Sequence, residues 1–331
     1  MVKIVVWGMG TVGKKWLNVI RTYRDDIDVE IVAVTDSDVD ITLDETEKHL
    51  FITNDKLHTL QYDYIIVASK KYYEEIREKL LHELGVKDDK IVYCNEFLEK
   101  ANIIPKYECN MCGNKNYWWN YCGVENELFS SKQVTGAGYR KGVCPVCGAM
   151  DRERYVYSVL HNHTDILEAK QILHFAPEKE LKKVLSKIAK EYVTADIVPG
   201  RADVVADITK LQFEDNSFDY VICNHVLEHI LDESAALSEV KRCLKENGKF
   251  IVTVPICWHE KTFEDSKIVS EEDRTKFYGQ KDHVRLYGND IVEKFEQYGF
   301  KVTYYKNDSN EYDKKYGFLR DDCVFILDNQ K

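Results

Sequence analysis

Strand-like apolar runs and helix-like amphipathic runs alternate along this chain, stop at Pro105, and resume near residue 151. KIVVWG, VEIVAVTD and YDYIIVAS read as strands, with helices over Lys14–Tyr23 and Tyr72–Leu84. KDDKIVYC closes this set, and Asn95–Asn102 reads as a short exit helix. After the break, a helix over Arg152–His161 leads to QILHFA, a helix over Glu178–Ala189, then EYVTADI, ADVVAD and FDYVICN. A helix through Leu237–Leu244 precedes GKFIVTVP, and a helix over Asn289–Tyr298 precedes FKVTYY and DCVFIL. Strands that alternate with helices pair in parallel, because each crossover returns the chain to the same end of the sheet. The expected class is therefore α/β, in three segments. A doubly wound α/β domain spans 1–104, a small cysteine-rich element 105–150, and a second α/β domain 151–331.

A chain of 331 residues has ample length for two cores. The net charge of −11 argues against a nucleic-acid surface. No apolar run approaches the roughly 18 residues needed to span a bilayer. MVKIVVWGMG enters a strand and glycine turn at once, which reads as no signal peptide. Ten cysteines in a chain of this length fit a metal site in a reducing cytoplasm better than a disulfide scaffold.

Gly8, Gly10 and Gly13 form G-x-G-x-x-G between a strand and a helix. That context gives a tight turn, close backbone approach, and a helix N-terminus facing a phosphate. Asp36 ends the next strand, where a ribose-binding acid would sit. With YDYIIVASKKYYEEIREKLLHELGVKDDKIV, this region resembles small Rossmann-like domains of surface-polysaccharide and nucleotide-sugar enzymes. The resemblance implies a nucleotide-type ligand rather than a redox dinucleotide. A purely structural or oligomerising domain is the competing reading, so a homo-oligomer stays open.

Cys109-x-x-Cys112 and Cys144-x-x-Cys147 lie in CNMCG and CPVCG. A glycine after each second cysteine permits the turn that aims backbone amides at thiolates. Four sulfurs are the complement of a closed structural Zn²⁺ site, so this element reads as zinc-ribbon-like. The 31 intervening residues call for an inserted structured loop, and Cys122 is an alternative ligand. Such a site would steady a lid or spacer between the two α/β domains.

The run YVTADI…DITKLQFEDNSFDYVICNHVLEHI…LKENGKFIVTVP resembles the class I S-adenosylmethionine-dependent methyltransferases. CPVCGAMDRERYVYSVL followed by LHFAPE is similar to a narrower set, in which a zinc-ribbon element leads into that fold. An open parallel sheet binds its ligand at the carboxyl ends of its strands. Asp196 ends the second strand, where a carboxylate can accept both ribose hydroxyls. Asp207 and Ile208 follow the third, placed to bond the adenine amino group and pack its ring. Asn224 and His225 end the fourth, nearest the sulfonium and the acceptor. A hydroxyl acceptor needs a general base, for which His225 and His283 are the candidates. Arg285, beside His283, is a candidate anchor for a phosphate or carboxylate. His229 reads as a packing residue.

The first strand-to-helix turn, LHFAPE, lacks the usual glycines. His174 closes the strand, Ala176 is small enough for close approach, and Pro177 preorganises the turn. Glu178 offers a carboxylate to the cofactor's ammonium group, with a favourable first-turn acid as the plainer role. HVLEH also matches the inverted zinc-protease pattern H-x-x-E-H, which requires both histidines within one helix. The leading function is methyl transfer to a small or nucleotide- or sugar-linked acceptor, in surface-polysaccharide synthesis. The competitors are an NAD-dependent oxidoreductase using Gly8–Gly13 and a non-catalytic cofactor-binding scaffold.

Overall fold

In the computed structural model, residues 1–38, 43–166 and 171–330 are described. Lys331, the last residue of the third expected segment, lies outside them. The chain divides into two compact units, Met1–Lys106 and Tyr107–Lys331.

The first unit is a parallel four-stranded sheet. Strands β1 (Val2–Trp7), β2 (Val29–Thr35), β3 (Tyr64–Val67) and β4 (Ile91–Tyr93) lie in the order β2-β1-β3-β4. Helices Thr11–Ile27 and Tyr73–His82 follow β1 and β3. Burial does not alternate along β1. Ile4, Val5, Val6 and Trp7 are all fully buried, as parallel strands covered on both faces require.

The second unit opens with four short strands, β5 (Tyr107–Glu108), β6 (Lys115–Asn116), β7 (Asn120–Cys122) and β8 (Arg140–Val143). They pair as two antiparallel ladders, β5 with β6 and β7 with β8. Helix Asp151–His163 then leads to β9 (Gln171–Phe175), helix Lys179–Ile188, β10 (Glu191–Asp196) and β11 (Val204–Val205). Next come β12 (Phe218–Asn224), helix Glu233–Cys243, β13 (Leu244–Thr253), β14 (Ile256–Cys257), β15 (Tyr287–Gly288), β16 (Phe300–Lys306) and β17 (Cys323–Asn329).

Seven of these form one sheet, ordered β11-β10-β9-β12-β13-β17-β16. All neighbours are parallel except β17, which is antiparallel to both β13 and β16. Successive residues of a strand serve opposite faces. Leu173, Phe175, Val221, Cys223, Phe250 and Val252 pack into one core layer. Ile172, Tyr220, Ile222 and Ile251 pack into the other. The sheet grows outward in both directions from the β9/β12 pair, which makes the carboxyl ends of those strands the switch-point crevice.

Residues 107–150 belong to this second unit. Their own apolar cluster, centred on Cys109, Trp119, Cys144 and Ala149, is too small to fold alone. Phe129 and Val134 therefore bury with Cys257, Tyr278 and Leu286. Thr135 pairs with Ile256 of β14 through two backbone hydrogen bonds of 2.9 and 3.2 Å. The inserted loop between the cysteine pairs is filled by β7, β8 and helix Glu127–Ser131.

Candidate active site

Each parallel strand of the large sheet delivers one polar group to the switch-point end. After β9 the chain turns through Ala176, which adopts a left-handed φ of +44°. Alanine thus performs the backbone turn usually given to glycine, at a cost of about 1 kcal/mol. Its N–H donates to the Ala195 carbonyl at 2.8 Å, and its side chain is exposed. Glu178 is the N-cap of helix Lys179–Ile188, so Pro177 stands one position before the cap rather than inside the helix.

Glu178 Oε2 accepts from His174 Nε2 at 2.9 Å and from Asn224 Nδ2 at 3.4 Å. His174 Nδ1 meets the Tyr192 hydroxyl at 2.7 Å. Nε2–H donates to Glu178, and the tyrosine hydroxyl satisfies Nδ1. His174 is fully buried, so it serves the site through Glu178 and does not face a cofactor itself. Burial pushes the Glu178 carboxyl up, but the hydrogen bond and charge of His174 reverse this and hold it below the usual carboxylate range.

Asp196 ends β10 and accepts from Val198 N at 2.7 Å. Ile197 and Val198 are 65% and 40% exposed, an apolar strip beside that carboxylate. Sequence reading missed this strip, which only exposure reveals. Asp207 is exposed but shapes its own turn, accepting from Thr209 N at 2.9 Å and Thr209 Oγ1 at 2.7 Å. Ile208 is buried in the core. Asn224 is buried, and its Oδ1 accepts from Thr253 Oγ1 at 3.2 Å.

His225 follows with a left-handed φ of +52°, and Leu227–His229 is a single 3₁₀ turn. No helix carries both histidines, so the inverted zinc-protease reading fails. His225 is nearly buried, its side chain 9% exposed, with Nε2 unpartnered, and desolvation drives its pKa well below the usual value, leaving a neutral ring. His283 is also buried, and burial lowers it to about 4, which makes it a poor proton acceptor near neutrality. Arg285 does not offer its guanidinium to a ligand. It is 1% exposed and donates to Glu264, to the carbonyls of Leu227 and Ile230 at 2.7 and 2.6 Å, and to that of Leu231.

Two further groups escaped sequence reading. Glu228 is buried with both carboxylate oxygens unpartnered, and burial pushes it up to about 8. The Arg152 guanidinium acts electrostatically on Glu178, His225, Glu228 and Asp322 together. Glu228 sits in HVLEH and Arg152 in CPVCGAMDRERYVYSVL, but only tertiary packing brings them to the strand ends.

Residues 164–252, which span β9 to most of β13, match a family profile described as Methyltransferase domain. The second unit thus contains a methyltransferase domain. Residues 1–92 match a separate profile, C2185-like, N-terminal. Among curated proteins, the chain is 36% identical over 104 residues to MJ0638 of Methanocaldococcus jannaschii, covering 30% of this chain and 38% of that one. It is 40% identical over 50 residues to phosphoethanolamine N-methyltransferase 2 of Caenorhabditis elegans, covering 15% and 11%. The chain thus spans well under two thirds of those relatives' lengths. A SAM-dependent methyltransferase structure from Archaeoglobus fulgidus aligns at 17% identity and a TM-score of 0.36, over 55% of this chain and 95% of that one. The PH0226 protein of Pyrococcus horikoshii OT3 aligns at 21% and 0.37, over 54% and 90%.

Ahead of the methyltransferase strands, the four cysteines of the two C-x-x-C pairs converge. Sγ of Cys109 lies 3.8 Å from that of Cys147, and Cys112 lies 3.9 Å from Cys144. A tetrahedral ion with Zn–S bonds of about 2.3 Å places its sulfurs about 3.8 Å apart. Asn114 Nδ2 donates to Cys112 Sγ at 3.2 Å and Ala149 N to Cys147 Sγ at 3.5 Å. Gly113 and Gly148 take φ of +75° and +88° at the two turns. Cys122 stands outside this cluster, against Gly142 on the β7/β8 ladder.

In the first unit, Gly8 takes φ +102°, and a Cβ on Gly13 would lie 1.7 Å from the Gly8 carbonyl oxygen. A Cβ on Gly10 meets nothing within 4 Å. Asp36 accepts from Met9 N at 2.5 Å and Asp38 N at 3.0 Å, which ties the glycine turn to the end of β2. A cavity of about 670 Å³ opens here, lined by Gly8, Gly10, Asp36, Lys70, Lys71 and Tyr72 among others. Among the described residues of both units, no helix is long and apolar enough to cross a membrane.

Proposed function

We propose that this protein transfers the S-adenosylmethionine methyl group to a small or nucleotide- or sugar-linked acceptor. The observation that carries this is the convergence of Glu178, Asp196 and Asn224 on the switch-point end of a sheet within a methyltransferase domain. The residues fit the cofactor. Glu178 is a largely shielded carboxylate, its side chain 11% exposed, held below the usual carboxylate range, which suits an ammonium group. Asp196 beside the exposed Ile197 and Val198 suits a ribose next to a flat apolar ring. The bound cofactor supplies an electrophilic methyl on a sulfonium, so alignment accounts for much of the rate.

The chain's own residues then have distinct tasks. His174 and Tyr192 keep Glu178 oriented. Asn224 links Glu178 to Thr253 and fixes the end of β12. His225, neutral and unpartnered at Nε2, accepts a hydrogen bond from the acceptor and orients it. The four-cysteine cluster binds structural Zn²⁺ and holds the 107–150 segment over the ends of β12 and β13. The glycine turn and lysines of the first unit bind a nucleotide-type ligand, and the acidic net charge favours such small molecules over nucleic acid. A reduced tetrathiolate cluster suits the cytoplasm.

The test is incubation of the full chain with methyl-labelled cofactor and fractionated extract of the source organism. Label should enter a sugar, nucleotide or small-polymer fraction and fail to do so with Asp196→Ala. Cofactor binding without transfer into any fraction would leave the scaffold reading standing and sink this one.

A further inference from the structure

A second set of metal-ligand side chains sits beside the proposed methyl-transfer site. Glu228 and His229 lie on the 3₁₀ turn after β12, and His283 lies on the loop before β15. One ligand atom from each lies within 4.8 Å of the other two. Glu228 is 1% exposed, and neither of its carboxylate oxygens has a hydrogen-bond partner. His225 Nδ1 stands 3.4 Å from Oε1, beyond a good hydrogen bond. A buried carboxylate left unsatisfied costs a fold several kcal/mol, so its retention points to something that binds it.

The two histidines are set as ligands. His283 Nδ1 donates to the Tyr278 carbonyl at 3.2 Å, and His229 Nδ1 to the Asp282 carbonyl at 3.2 Å. Each bond fixes the tautomer that leaves the Nε2 lone pair free, the outer support usual for metal-bound imidazoles. Asp282 Oδ2 stands 3.4 Å from His229 Nδ1 as a further support. The framework is rigid: Arg285 grips the carbonyls of Leu227 and Ile230, and Val284 N donates to the Glu228 carbonyl at 2.8 Å.

We propose that Glu228, His229 and His283 bind a divalent transition-metal ion of the zinc type. Two imidazoles and one carboxylate are a donor set that open zinc sites use, with a further position left for an exogenous oxygen. The imidazoles disfavour Mg²⁺ and Ca²⁺, which take oxygen ligands. His229, whose side chain is 33% exposed, is the solvent-facing member. The open position takes water or an oxygen of the acceptor; only the second assignment rests on the methyl-transfer reading.

Zinc content and cobalt spectra test the site without cofactor or acceptor, so the outcome is separable from methyl transfer. Full-length protein equilibrated with Zn²⁺ and freed of excess metal should hold two ions per chain by mass spectrometry. Glu228→Gln and His283→Gln should hold one. In a Co²⁺ titration of chelator-treated protein, one equivalent should show intense thiolate charge transfer and the other only weak ligand-field bands. Both variants should weaken the second equivalent more than about 100-fold and keep the first. Folding is checked by melting in chelator, where Glu228→Gln should melt no lower than the parent. A parent holding one ion, or folded variants that still hold two, overturns the site. A Glu228→Gln protein that melts lower in chelator with its metal content unchanged also overturns it, because Glu228 would then be structural.

Discussion

Replacing His174 with phenylalanine isolates the support under Glu178. The ring volume is nearly kept, but Glu178 Oε2 loses its 2.9 Å donor and retains Asn224 at 3.4 Å. A hydrogen bond to a charged group contributes about 1.5–3 kcal/mol, so cofactor binding should weaken by about 10- to 150-fold. The pH dependence follows from the same contacts. Burial raises the Glu178 carboxyl and His174 lowers it, so without His174 the pKa moves upward. The variant's carboxyl is then more protonated at pH 6 than at pH 8, and its affinity deficit should be larger at pH 6. Stability carries the matching sign. In the parent, the depressed pKa contributes stability above the unfolded-state value, and that contribution is lost as pH falls through the folded one. Calorimetric titration with S-adenosylhomocysteine at both pH values is the assay, with near-ultraviolet dichroism to confirm folding. A folded variant with parental affinity at both pH values would refute the role of Glu178.

Three other perturbations read different parts of the second unit. Ala176→Leu adds bulk at an exposed turn, so it should block cofactor while lowering the melting temperature only slightly; unchanged affinity places the cofactor elsewhere. Arg154→Met removes donors to the carbonyls of Gly142, Ala149, Tyr316 and Gly317 and a guanidinium 3.8 Å from the Trp119 ring. Urea unfolding should show a loss of about 3–5 kcal/mol, since buried carbonyls are left bare. Asp322 is buried, and desolvation with the nearby Asp151 pushes it up to about 7, against Arg140 and Arg152. The fold therefore favours its neutral form, and stability should fall as pH rises from about 4 to 7, by on the order of 4 kcal/mol at most. Asp322→Asn should flatten that slope; parallel stability curves for parent and variant would contradict it.

Most of the sheet is legible in the sequence because parallel strands buried on both faces write long apolar runs, as in FDYVICN and KIVVWG. ADVVAD shrinks to Val204–Val205 because an edge strand is held from one side only. The carboxylates at strand ends are legible from position alone. The roles of the histidines are not. His174 ends a readable strand and His283 stands in a readable loop, yet both are buried, and only three-dimensional packing decides whether a ring faces ligand or protein. Arg285 reads as a ligand anchor because its local sequence shows a free cation; the carbonyls that occupy it lie more than fifty residues away in the chain. Glu228 hides inside HVLEH, whose helix-based meaning is ruled out by the left-handed His225.

Methyl transfer by this chain requires that it bind the cofactor. Titration of the full chain with S-adenosylhomocysteine in a calorimeter tests it directly. One saturable equivalent per chain, abolished by Asp196→Ala in a protein that still melts cooperatively, is the predicted result. No heat at millimolar ligand, or equal binding by Asp196→Ala, would contradict it.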